Sequence, residues 1–382
     1  MRKTVCVLLI VLLAMATTAS ATRVTTMGGV NNIVKDVKNI FIYPQLITQY
    51  PDAMYLEISG SNLYRAGGHY ALGNGVLGMY FSTETLWSTY APVVDPGGMN
   101  WGVYHQRIYL FYGMDMNGMQ LGAQLRLFGD AHNVDASTPA PGDKSIESVM
   151  GLGLNIGATF GEKIDAYFTF QNVSWKEEDT AGKMITEPNG NMTIGLGARL
   201  WLEMSDTYTL IPYAGFEMMG DGYKDSSKVE VKSSTTAITI GVGDNIAVSD
   251  EVLLVSDIGV SLMPEKTEIT IPNSPSRETK SSYTSLPYFR IGLEAQLYDW
   301  LWARMGAYKA WQKESTEDND GNTEYWGYAN TSLYLGAGFL FKNLHIDAQI
   351  NPGFMTRGPY FVSGSGGDMF SRVTIYYVWG EK

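Results

Sequence analysis

Nine ionisable side chains fall on one face of segments whose other face is apolar: Arg126, Asp165, Arg199, Glu203, Glu217, Arg290, Glu294, Arg304 and Arg372. The segment Met119–Phe128 shows the pattern, with Met119, Leu121, Ala123, Leu125 and Leu127 on one side and Gln120, Gln124 and Arg126 on the other. A strand repeats every two residues, so the first face suits lipid and the second suits water. On the lipid side of a barrel a mid-depth charge costs about 2–4 kcal/mol, which sends these nine residues to a lumen. Two kinds of chemistry are open to them there. They form a polar, mixed-charge channel wall that selects solutes, or they pair across strands and brace the interior. With both signs present and no single-sign ladder, strong ion selectivity is not expected.

Other chemistries have less to work with. Hydrolysis of the kind some membrane barrels perform needs a nucleophile, a base and an orienting group brought together. The four histidines are His69, His105 beside Gln106, His132 beside Asn133, and His345 near Asp347, and none lies in a serine-hydrolase signature. No catalytic residue is assigned, and the chain is not expected to be an enzyme. The acidic run Glu317-Asp318-Asn319-Asp320-Gly321-Asn322-Thr323-Glu324 has Thr316 where a calcium loop of the EF-hand type starts with an acidic ligand. Asp320-Gly321 therefore reads as a turn at a solvated loop tip, and no metal is expected. Gly151-Leu152-Gly153 lacks the third glycine and the helix of a dinucleotide loop, so no cofactor is expected either.

The elements that hold the nine residues alternate throughout the chain. Val149–Phe160, Met192–Leu202 and Phe289–Leu297 repeat the apolar/polar pattern, often with glycine on the polar face. A soluble sandwich would alternate too, and the connections decide between the two. Short turns are expected at Asp115-Met116-Asn117, Gly161-Glu162, Ser205-Asp206, Ser249-Asp250, Tyr298-Asp299 and near Lys342-Asn343. Long polar segments lie between them at 84–102, 129–148, 174–190, 220–235, 263–285, 312–328 and 351–369. Strict alternation of short and long links is the asymmetry of a membrane barrel with periplasmic turns and extracellular loops. The expected fold is all-β, a transmembrane antiparallel up-and-down β-barrel of about 14 strands, between roughly 12 and 16. Its wall is expected over 76–382, closing with Phe370–Trp379, and Trp175, Trp201, Trp300, Trp302, Trp311 and Trp379 are candidates for interfacial girdles. The segment 263–285, with Pro264, Pro272 and Pro275, reads as an exposed excursion.

Residues 1–21 read as an export signal: basic Arg2 and Lys3, an apolar stretch from Val5 to Ala16, and a small-residue site cut after Ala21. The only cysteine, Cys6, falls inside it, so the exported chain is expected to carry no disulfide. Without that segment 25 basic residues stand against 39 acidic ones, a net charge of −14, which argues against nucleic-acid binding. The expected location is the bacterial outer membrane, with outer-membrane lipid and the barrel-assembly machinery as partners. Residues 22–75 do not fit the wall and are expected to form an N-terminal lead or luminal hatch.

Within that region, Thr26-Met27-Gly28-Gly29, then Asp36 to Tyr43, then Pro44-Gln45-Leu46 resembles the N-terminal hatch of the FadL-like barrels. That superfamily includes long-chain fatty-acid transporters and PorV-type proteins of secretion systems. The resemblance implies a fourteen-stranded barrel with its N-terminal segment folded into the lumen. Family members carry Asn-Pro-Ala in the hatch, where this chain reads Tyr43-Pro44-Gln45. An apolar cluster of Ile40, Phe41, Ile42, Tyr43, Leu46 and Ile47 would either line a path for hydrophobic solutes or dock the hatch onto the wall. The function expected is a channel or transporter for small or hydrophobic compounds. The alternative is a structural or docking barrel that engages a partner protein, of unstated identity, without transport.

Overall fold

Polar residues at every second position cannot face hydrocarbon, and a strand edge cannot be left unpaired within it, so the sheet must curl and close. A computed structural model describes residues 23–59, 63–84, 105–133, 144–179, 184–317, 321, 323–351, 353–354, 358 and 369–379. The export signal expected at 1–21, most of the acidic run after Glu317, and the chain end after Trp379 lie outside the described residues.

The sheet is a closed antiparallel barrel of sixteen strands. In chain order they are β1 (Ala53–Ser59), β2 (Leu63–Leu72), β3 (Gly75–Glu84), β4 (His105–Met116), β5 (Met119–Asn133), β6 (Lys144–Phe160), β7 (Ile164–Asp179) and β8. Strand β8 is interrupted and runs as Met184–Pro188, Met192–Leu200 and Leu202–Ser205. The rest are β9 (Tyr208–Asp225), β10 (Glu230–Ser249), β11 (Val252–Thr270), β12 (Arg277–Tyr298), β13 (Leu301–Glu317), β14 (Thr323–Phe341), β15 (Leu344–Ile350) and β16 (Phe370–Val378). Each strand pairs with its sequence neighbours, and β1 closes on β16 from Ala53↔Val378 to Ser59↔Arg372.

Sixteen strands lie at the upper end of the expected 12 to 16, two more than the central figure of about fourteen, because the wall begins at Ala53. Residues 53–72, assigned by sequence to the lead, belong to its first strands, and an additional short turn at Gly73-Asn74 restores an even count. The Gly67-Gly68 pair and the inward Arg65 and His69 blur the alternation of β2. The other six turns lie where they were expected, and all seven short turns sit at the same end as Asp52.

The long links are shorter than the sequence indicated. Strands β9 to β14 run 17 to 22 residues, against 7 in β1 and β15. About 9–11 residues cross the hydrocarbon, so this side of the wall stands well above it. The segment 263–285 is thus mostly paired sheet, from Ser261↔Ser285 to Ile269↔Arg277, and not an excursion. Once strands leave lipid the outward face no longer needs to be apolar, so pairing continues while the hydropathy signal stops. Outward side chains there become Lys266, Glu268, Glu278 and Lys280, with Lys266 Nζ 2.8 Å from Glu278 Oε2.

The barrel is inside out relative to a soluble core. Met79, Phe81, Leu152, Phe168, Leu196, Ile240, Ile291 and Met305 are exposed on the outer face, while Gln124, Asn155, Asp165, Arg199 and Glu294 are buried within. Trp300 and Trp311 lie on the outside, Trp300 stacking with Tyr298, Phe339 and Phe341. Trp175 and Trp201 turn inward and are buried, which removes them from the girdle.

Candidate functional site

The lumen's occupant is the chain's own N-terminal segment, residues 23–52. A helical turn, α1 (Arg23–Thr26), leads through Met27-Gly28-Gly29 to two 3-10 helices, Val37–Phe41 and Pro44–Gln49. Asp36 caps the first of these: its Oδ1 accepts the Lys38 amide at 2.9 Å, and Asn39 Oδ1 accepts the Asp36 amide at 2.7 Å. Such a reciprocal cap satisfies the free donors of a short helix that has no neighbour to supply them. Pro44 opens the second helix, where its missing N–H costs nothing.

Each half of the segment grips a different arc of wall. Arg23 donates to Glu294 through Nε and Nη2, at 2.7 and 2.6 Å, and Glu294 also accepts Arg304 Nε at 2.6 Å. Arg304 reaches on to Asp347, giving a chain of alternating charges from the segment into β12, β13 and β15. Arg199 donates to the carbonyls of Asn31 and Asn32 at 3.1 and 3.3 Å. Arg372 Nη1 lies 3.4 Å from Thr25 Oγ1. On the other arc, Ile40, Tyr43, Leu46 and Ile47 are buried against Tyr55, Val76, Tyr80, Tyr109 and Phe111. The ring of Phe41 meets Tyr80, Tyr109 and Phe111 edge-on, at centroid distances of 5.2 to 5.4 Å, with the Arg65 guanidinium 3.8 Å from its centroid. Loss of hydration pushes the Asp36 carboxyl above its ordinary value and the Lys38 ammonium below its own, and Tyr43 is pushed up to about 12 by burial.

Inward-facing glycines make room for this contact. A Cβ on Gly122 would lie 2.2 Å from the Gln45 amide nitrogen, and one on Gly306 would lie 2.3 Å from that of Gly28. Both collisions are with backbone, so the segment itself would have to shift. Gly122→Val is therefore expected to loosen the segment, at a cost of about 1–3 kcal/mol, without unmaking the wall. Faster protease cleavage within residues 30–50, with an unchanged heat-modifiable gel shift, would show this; protection equal to that of the parent would contradict it.

The nine ionisable residues do not share one environment. Asp165 and Arg199 form a buried pair at 2.8 Å, and Asp165 also accepts Thr159 Oγ1 at 2.6 Å and Trp201 Nε1 at 2.9 Å. Arg290 pairs with Asp257 at 3.0 Å, beside a Tyr213–Tyr288 hydroxyl contact of 2.5 Å, with Tyr213 also donating to Asp257 at 2.6 Å. Glu294, Arg304 and Arg372 hold the segment. Arg126 and Glu217 face an open space. Glu203 has the inward parity but is exposed beside the turn at Asp206, so it lies at the rim and not in the lumen. Arg23, Asp257, Asp347 and the tyrosines were not singled out from sequence; Asp257 and Tyr213 carry the inward parity that could have found them.

The open space is a cavity of about 600 Å³ above the segment, on the loop side. Its floor is Asn31, Asn32, Phe41, Ile42 and Tyr43, and Arg107, Arg126, Glu217, Tyr213, Tyr288 and Arg290 stand among its walls. Of the apolar hatch cluster, only Phe41, Ile42 and Tyr43 reach it; the rest serve docking. His69 is committed to Tyr80 Oη, 2.6 Å from Nδ1, and to the Tyr50 carbonyl. His345 lies against the Tyr376 ring, and the side chains of His105 and His132 are outside the described residues.

No protein-family model and no curated protein matches the chain. Similar solved structures include the FrpB iron transporter from Neisseria meningitidis, 10% identical with a TM-score of 0.40 over 78% of this chain and 61% of that one. The Pseudomonas putida toluene transporter TodX is 11% identical, with a TM-score of 0.38 over 94% of this chain and 96% of that one. The CymD monoaromatic hydrocarbon channel is 9% identical, with a TM-score of 0.36 over 95% and 98%. The chain spans about three fifths of the length of the iron transporter.

Proposed function

We propose that the chain is an outer-membrane transport barrel whose lumen is closed by residues 23–52 and which passes small polar solutes when that segment shifts. The observation that carries this reading is the segment's position: it is anchored to opposite arcs of the wall, and a solute-sized cavity opens directly above it. A sixteen-stranded barrel is wide enough to leave an aqueous channel once such an occupant is removed. The apolar outer belt and the expected export signal support the outer membrane as its location. The cavity's arginines, amides and tyrosine hydroxyls favour a polar solute over a hydrocarbon.

Planar-bilayer recording tests the proposal. Intact protein is expected to conduct rarely, and protein lacking residues 23–51 is expected to conduct at least about tenfold more often, as an open water-filled barrel would. A folded, heat-modifiable deletion variant that stays silent would overturn the transport reading. The tall polar wall of β9 to β14 would then favour the docking alternative, with a partner protein seated on the loop side.

A further inference from the structure

We propose that the vestibule is a binding site for a sugar acid, a hydroxylated ring bearing a carboxylate, with Arg126 as the group that holds the carboxylate. The proposal rests on the transport reading for its purpose and on the cavity alone for its chemistry. Arg126 projects inward from β5, directly opposite Tyr109 on β4, and lines the cavity. Its Nη2 donates to Thr169 Oγ1 at 2.7 Å, and among the described residues it makes no ion pair. Its Nε is buried and finds no acceptor among them. Arg199, Arg290 and Arg304, by contrast, each pair with a carboxylate, Asp165, Asp257 and Glu294 respectively.

Arg107 lines the same cavity one register step away, on the strand that pairs with β5. Its guanidinium carbon lies 5.4 Å from the Phe128 ring centroid, and its charge adds to the positive character of this wall. Planar guanidinium forks match carboxylate geometry, so a carboxylate is the fitting anion. Glu217 on β9 is the acidic residue in the cavity wall and stands outside ion-pair contact with Arg126.

The remaining lining decides what carries the carboxylate. Asn155 gives its Nδ2 to the carbonyls of Phe41 and Ile42, and Asn191 Oδ1 accepts the Gly222 amide, which leaves the Asn155 Oδ1 acceptor and the Asn191 Nδ2 donor, with Gln171 and Thr193, to match hydroxyl groups that both give and take a proton. Tyr167 and Tyr213 add flat apolar faces with polar tips, which suit the face of a pyranose ring. An acyl chain or bare hydrocarbon would leave those amides unpaired, a loss that polar sites reject strongly. The volume, about 600 Å³, lies in the range of small-ligand sites and admits one or two sugar rings.

Calorimetric titration of the full chain in detergent with galacturonate, galactose and benzoate tests the assignment. Galacturonate is expected to bind at least about tenfold tighter than galactose, because a charge-assisted hydrogen bond contributes that much. Arg126→Gln is expected to remove the difference between the two sugars. Glu217→Gln is expected to tighten galacturonate a few-fold, and it stands in should the arginine variant fail to show a heat-modifiable gel shift. Galacturonate binding no tighter than galactose, benzoate binding tighter than galacturonate, or affinity indifferent to both substitutions would overturn the proposal. Swelling of liposomes holding the same protein separates the two readings. Selective binding without flux removes transport and keeps the site, whereas flux without selective binding removes the site and keeps transport.

Discussion

Replacing Glu294 with alanine is expected to release the N-terminal half of the luminal segment and leave the barrel standing. Glu294 is buried and accepts from two guanidinium groups, Arg23 and Arg304, with Arg304 tied on to Asp347. Truncating it leaves two cations facing each other in a space that solvent reaches poorly. Breaking a buried pair by removing one partner costs about 3–5 kcal/mol, because the surviving charge stays uncompensated. Arg23 is the more exposed partner, its side chain 28% accessible, so Arg23→Ala is expected to cost less than Glu294→Ala. The wall strands keep their backbone pairing in either variant, so the loss appears in the segment. Limited proteolysis reads it directly: cleavage between residues 23 and 40 accelerates in Glu294→Ala, and the gel shift of the folded barrel persists. Equal protection in parent and variant would show that the ion pairs do not hold the segment.

The second large effect is expected at Asp165. Its two carboxylate oxygens serve three donors, Thr159, Arg199 and Trp201, all inside the wall. Arg199 is fully buried, stands over the rings of Tyr43 and Trp201, and donates to the segment's backbone at Asn31 and Asn32. Asp165→Ala therefore strips the counter-ion from a buried guanidinium and leaves an indole N–H unpaired. A loss of about 3–5 kcal/mol is expected, larger than for any exposed pair on β10 to β13. Asp165→Asn should recover the Trp201 bond but not the charge, and fall between parent and alanine. Thermal unfolding in detergent, followed by tryptophan fluorescence, would order the three proteins. An alanine variant as stable as the parent would mean that Arg199 finds another anion or is hydrated.

Both effects depend on long-range pairs, and this marks where the sequence stops being legible. Membrane barrels alternate because lipid on one side and water on the other act at every residue, so β5, β6, β8 and β12 can be read from Met119, Met150, Ile194 or Phe289 alone. Where lipid ends the constraint ends, and 263–285 hid a continuous hairpin behind its prolines and charges. In β2, glycine and inward charge weakened the pattern until the wall lost its first two strands. Which inward charges meet is a further matter. Arg23 and Glu294 are 271 positions apart, and no local pattern couples them. Glu203 shows the converse failure, since parity assigns a face but says nothing of depth. One signal was present and could have been used: glycines at inward positions, such as Gly122 and Gly306, mark where a second backbone approaches the wall.

In the proposed transport barrel, passage requires the luminal segment to move. A disulfide between segment and wall tests it most directly. A Cβ at position 336 would lie 2.7 Å from that of Thr26, within about 1 Å of disulfide spacing, so Thr26→Cys with Gly336→Cys can be closed by a small yield of the wall. The native cysteine, Cys6, falls in the expected export signal and does not interfere. Swelling of liposomes carrying this variant in isotonic arabinose is the measurement. The oxidised protein is expected to admit no sugar and to regain the parent rate on reduction; equal rates before and after reduction, with the disulfide shown to be formed, would mean that solutes pass without movement of the segment.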